Sequence, residues 1–110
     1  MPNYSKNEVI LVRYPFSNLS ASKVRPAVVE NASHTSRDVI LVPLSSRISS
    51  LLSGEFILAD WSGAGLNVAS AVKRGFYTVH QNLLVKSIGK LSDGDAHSLE
   101  SSLRDWLGLH

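Results

Sequence analysis

The chain has no cysteine, which excludes disulfides, thiolate metal sites and a cysteine nucleophile. Charged residues are scarce, 18% against 44% hydrophobic, and that balance excludes an intrinsically disordered chain. No hydrophobic run approaches the length of a membrane span. The opening Met1–Asn7 is polar and the apolar run after it is short, so no secretory leader is expected. The expected compartment is therefore the cytoplasm, and no membrane partner is expected. Walker and dinucleotide glycine motifs are missing; Gly63-Ala64-Gly65 follows a strand pattern but opens no helix. The four histidines, His34, His80, His97 and His110, are dispersed and show no H-x-x-x-H spacing. No metal and no cofactor are expected.

At 110 residues the chain is expected to be one domain, 1–110, large enough for a real core. The net charge of +2 says little, but its distribution is uneven. Between Leu11 and Lys90 there are nine Lys/Arg and four acids, whereas the C-terminal segment is acidic. A basic body of this kind suits an anionic polymer or an acidic protein segment.

Short β-favouring runs set the pattern. Glu8–Tyr14, Arg25–Glu30 and Val39–Leu44 read as strands, separated by a Pro/Asn/Ser-rich loop and a turn. Pro26 is placed at the start of its strand, where a missing N–H is tolerated. Glu55–Ala59, Val68–Val72 and Phe76–Val79 read as further short strands, Leu83–Ile88 as either a last strand or an irregular segment into Gly89, with one helical turn at Ile48–Leu52. The end reads as a helix. Ser92 is the N-cap, Asp95 its capping-box partner, Leu99, Leu103, Trp106 and Leu107 the apolar face, and Gly108 the stop. The expectation is a mainly β protein, a small antiparallel barrel with a C-terminal α-helix.

Candidate chemistry centres on Arg25, in Lys23-Val24-Arg25-Pro26-Ala27-Val28-Val29, and on Ser45-Ser46-Arg47 after a later strand. A guanidinium held by a sheet is a phosphate clamp, since its planar fork matches two phosphate oxygens and its charge does not titrate. Serine hydroxyls can donate to the same phosphate, although turn-capping is the commoner use of such serines. Lys73-Arg74-Gly75 reads either as a solvated hairpin tip or as a phosphate-contacting turn. His80 is the candidate proton shuttle. Tyr14, Phe16 and Tyr77 are candidate stacking platforms for single-stranded bases.

Four blocks in order resemble the MazF/PemK family of toxin–antitoxin ribonucleases. They are the opening strand and loop into Arg25-Pro26-Ala27-Val28-Val29, then Ile40 to Arg47, where the family carries Pro-x-Thr-Ser. Ala64-Gly65-Leu66 with Ser70-Ala71-Val72 follows, and last Ile88-Gly89-Lys90-Leu91 with the amphipathic helix. The resemblance implies an SH3-like barrel of MazF/CcdB type, a homodimer, and metal-independent, sequence-specific cleavage of single-stranded RNA that inhibits translation and growth. It also implies a cognate antitoxin, a small protein with an acidic disordered tail. By position it puts the catalytic arginine on Arg25 and the catalytic hydroxyl on Ser45. Phe16, Lys23, Ser46, Arg47, Ser70, Lys73 and Arg74 fall on the RNA-binding side. Some members carry an arginine and a nearby aspartate in the third block, where this chain has Lys73-Arg74-Gly75 and no acid. Two rivals stay open: a CcdB-like gyrase poison, and an inactive barrel that only binds an antitoxin.

Overall fold

The computed structural model describes residues 4–14, 23–30 and 38–109. Within them seven antiparallel strands precede one helix. The strands are β1 (Glu8–Tyr14), β2 (Lys23–Val29), β3 (Asp38–Ser45), β4 (Phe56–Ile57), β5 (Ala71–Val72), β6 (Tyr77–His80) and β7 (Leu84–Lys90). The helix α1 runs Asp93–Leu107. They pair in the order β4-β5-β3-β2-β1-β7, with β6 on β3. The mainly β chain with a C-terminal helix is therefore found.

The first three strands lie at the centre because both of their faces are buried. Ile10, Val12, Ala27, Val29, Val39 and Leu41 turn to one core with Tyr4, Val79 and Leu84. Their alternates Val9, Val28, Val42 and Leu44 turn to a second core with Leu58, Val72, Leu91 and Leu99. A strand buried on both faces reads as a continuous apolar run rather than an alternating one. The second core is closed by α1, through Leu99, Leu103 and Trp106. Leu107 departs from the expected stripe and is 52% exposed.

Several boundaries differ from the sequence reading. β2 begins two residues before Arg25, because β1 continues to pair it through Arg13↔Val24 and Tyr14↔Lys23. Pro26 consequently sits inside the strand. It pairs Leu11 of β1, while pairing to β3 begins only at Ala27↔Pro43, so one edge of β2 carries no ladder there. Ser45 belongs to β3, through its pairing to Ala71. The fourth and fifth strands shrink to two residues each: Glu55, Leu58 and Ala59 lie outside β4, and Val68, Ala69 and Ser70 lie outside β5. No helical turn forms at 48–52, where Ser50 takes a positive φ of 58°.

The helix cap is half of what the sequence suggests. Ser92 Oγ accepts from the Asp95 N–H at 3.2 Å. The Asp95 carboxylate turns instead to another segment: it accepts from the N–H of Ala59 at 2.9 Å and of Asp60 at 3.0 Å. Asp95 is 3% exposed, so these bonds are made in a desolvated place. They clamp the helix to the 59–66 turn, itself closed by Ala64 N–H to Asp60 O and Leu66 N–H to Trp61 O.

Candidate nucleic-acid interface

The site is assembled by strand register. β2 pairs β3 up to Ala27↔Pro43, and Arg25 and Ser45 each lie two residues beyond that last pair, at the same end of the sheet. On the other side of β3 the pairing to β5 ends at Ser45↔Ala71, and Ser46 and Ser70 each lie one residue beyond it. Residues separated by tens of positions thus reach one end of the sheet. A cleft of about 310 Å³ opens there, lined among others by Arg25, Ser45, Ser46 and Ser70. It lies where strands end, so residues of both alternating sets contribute to its lining.

Arg25 is exposed, and among the described residues its guanidinium has no hydrogen bond or ion pair. An unpaired arginine is stable there because water solvates the charge until an anion displaces it. Ser45 Oγ accepts from the N–H of Arg47 at 3.1 Å. That bond occupies a lone pair and leaves the hydroxyl proton for a ligand. Ser70 is 2% exposed, and its hydroxyl donates to Val68 O at 3.0 Å. Its proton is thereby committed, and its effect on the cleft is to hold the 67–69 backbone.

One further wall of the cleft was not legible in the sequence. It comprises Gly65, Leu66, Asn67 and Val68, which line the cleft together with Leu11, Pro26 and Ile88. Gly65 has φ +88°, and a Cβ there would overlap the Ile88 carbonyl, so only glycine admits this backbone approach. Gly89 is constrained reciprocally by Ala64 O. The Gly-Leu pair in the third family-like block was the one available signal.

Other candidates lie elsewhere. His80 pairs Asp38 at the opposite end of β3, seven residues from Ser45, roughly 23 Å along a strand. Its Nδ1 accepts from the Asn82 N–H at 3.1 Å and caps the 3-10 turn Gln81–Leu83. The expected proton shuttle is thus a cap outside the cleft. Lys73 and Arg74 are also outside it. Glu55 Oε2 accepts from the Arg74 N–H at 2.9 Å, Oε1 from Leu52 N–H at 2.8 Å, and Lys73 Nζ lies 3.7 Å from Oε1. The acid that meets this block in space is Glu55, from a separate segment. Burial pushes the Glu55 carboxyl up, but the two N–H donors and Lys73 together hold it below the usual carboxylate value. Arg47 is exposed beside Ser45, Lys23 opens β2, and Phe16 lies outside the described residues. Among the described residues, no three His, Asp or Glu side chains are grouped as a metal ion would require. No helix among them is long and apolar enough to cross a membrane.

A short-stranded antiparallel sheet closed by one C-terminal helix defines a class of small β proteins. Within it the architecture is the MazF fold. An endoribonuclease from mycobacterial species, solved in complex with its cognate antitoxin, matches at TM-score 0.76 and 13% identity, covering 100% of this chain and 98% of that one. The Mycobacterium tuberculosis toxin MazF-mt6 matches at 0.76 and 18%, covering 94% and 98%. MazE–MazF from Deinococcus radiodurans matches at 0.78 and 12%, covering 97% of each chain. No family model matches the sequence, and no curated protein matches it.

Proposed function

We propose that this chain is a metal-independent endoribonuclease acting on single-stranded RNA, and the toxin of a toxin–antitoxin pair. The observation that carries the reading is the unpaired Arg25 guanidinium beside the Ser45 hydroxyl in one cleft. The fold supports it, since structures sharing it are described as endoribonuclease and as MazF with MazE.

In the reaction, the ribose 2′-OH attacks the adjacent phosphorus, the bond to the 5′-oxygen breaks, and a 2′,3′-cyclic phosphate remains. Arg25 stabilises the charge that builds on the non-bridging oxygens. Ser45 donates its free proton to one of them and fixes the phosphate for in-line attack. Arginine's very high pKa suits it to this electrostatic role rather than to proton abstraction. No carboxylate or histidine lines the cleft among the described residues. The 2′-OH proton therefore passes to water, and the leaving oxygen regains one from water.

The same cleft serves two polyanions in turn, RNA and the acidic tail of an antitoxin, and both bindings weaken as salt rises. The working form is a homodimer in the cytoplasm, two-fold pairing being the commonest assembly for a small domain. Labelled single-stranded RNA incubated in EDTA tests the reading. Cleavage at a short sequence, ending in cyclic phosphate and lost in Arg25→Ala, is expected. Activity that disappears in EDTA and returns with magnesium overturns the mechanism; an inert protein on long RNA overturns the nuclease.

A further inference from the structure

The lining of the cleft has two characters. Arg25 and Ser45 bring a charge and a hydroxyl. The 65–68 wall is apolar at Leu66 and at Val68, which is 55% exposed. A single side-chain amide, Asn67, interrupts that wall. It is exposed, and among the described residues it makes no hydrogen bond. The wall is also rigidly based. Asp95 clamps the turn before it, the Gly65–Ile88 backbone approach fixes its middle, and Ser70 holds the Val68 carbonyl. The backbone that carries Asn67 is thereby fixed, so only its side-chain rotamer remains to be ordered on binding.

We propose that Leu66–Val68 forms a nucleobase-reading wall, in which Asn67 hydrogen-bonds the edge of one base lying against Leu66 and Val68, next to the phosphate held by Arg25. This rests on the nuclease reading. An amide offers a donor and an acceptor side by side, which is what the edge of a base presents, whereas lysine and arginine only donate. Exposed apolar surface beside it takes the base face, as stacking platforms do. A volume of about 310 Å³ is at the small end of ligand pockets. It suits one nucleotide of a single strand and excludes a duplex. Asn67 is therefore the residue that sets one position of the cleavage sequence.

The test uses a randomised pool of 2′-O-methyl RNA, which binds but lacks the attacking hydroxyl, with a matched pool of ordinary RNA for cleavage. Wild-type protein should enrich one base at a single position of the bound pool, by roughly tenfold. In Asn67→Ala that enrichment should vanish, while the salt dependence of binding and the melting temperature stay as in wild type. Asn67→Gln, which keeps the amide on a longer arm, should retain or shift the preference. In ordinary RNA the cleavage sequence of Asn67→Ala should relax at the same position. An unchanged preference in Asn67→Ala overturns the wall and leaves the nuclease standing. A base preference without any cleavage of ordinary RNA overturns the nuclease and leaves the wall standing. Binding of an acidic peptide, with no binding of either pool, overturns both and makes the cleft a protein-docking site.

Discussion

At one end of β2, Arg25 stands exposed in the cleft; just past the other end, Glu30 lines a second cavity of about 260 Å³ with Lys6, Asp93, His97 and Glu100. Both are charged residues without a hydrogen-bonding partner for at least part of the side chain. Arg25 has none among the described residues, and Glu30 Oε2 is buried with none. The consequences are opposite. The guanidinium keeps its charge because water reaches it and its pKa is very high, so it waits for an anion. The carboxyl is pushed up to about 7, first by burial, with Lys6 opposing and Glu100 adding to the rise. An unpaired charge is a binding device where solvent reaches it and a stability liability where solvent does not.

The largest expected effect sharpens the cleft side of this contrast. Arg25→Ala should lower RNA cleavage by ~10²–10³ fold, the usual cost of one preorganised charge-stabilising donor. Its melting temperature should not fall, since an exposed, unpaired side chain supports no packing. A large loss of stability would show that Arg25 is structural, and the contrast would fail. Next is Asp95→Ala, which leaves the Ala59 and Asp60 N–H groups without their acceptor and should cost about 2–4 kcal/mol. Chemical denaturation measures it; a cost near zero would mean that the wall does not depend on the clamp. Ser45→Ala should reduce cleavage about tenfold, the value of one hydrogen bond to a charged oxygen. Ser45→Thr should stay close to wild type, because β-branched residues suit strands.

The smallest effect tests the other end of β2. Glu30 has its pKa raised in the folded protein from the ordinary 4.5 to about 7. Between those values the folded state holds the proton that the unfolded state has released. Stability is therefore greatest below about 4.5 as far as this group is concerned, falls as pH rises to about 7, and is level above it. Thermal melts should show a decline of a few degrees across that window. Glu30→Gln should remove that decline. A decline of the same size in Glu30→Gln would show that Glu30 is not its source.

The central strands and the helix were legible because their signals are local. Val9–Val12, Ala27–Val29 and Val39–Leu44 are unbroken apolar runs, and Ser92 and Gly108 mark the helix ends. The two-residue strands were overdrawn because Val68 resembles a strand residue, yet its neighbours bend away to line the cleft. Within the site, Arg25 and Ser45 stood out as residue types, but their meeting depends on the β2–β3 register, which no local pattern encodes. His80 lies far from Arg25 and Ser45 for the same kind of reason: its pairing to Asp38 sets it at the other end of β3. Asp95 was legible as a capping residue, but its carboxylate is used by a turn thirty-five residues away, which sequence spacing cannot indicate.

The clamp and the Gly65–Ile88 approach also carry a consequence for synthesis. The cleft draws on Leu11 of β1 and on Ile88 of β7, and its wall is fastened by Asp95 of α1. Chains emerge from the ribosome N-terminus first, and segments fold as they appear. A nascent chain that has exposed Arg25 and Ser45 but not yet β7 and α1 holds these two residues without the rest of the cleft's lining. The complete cleft therefore forms only after β7 and α1 have been translated, so a ligand that needs the whole cleft meets it only then.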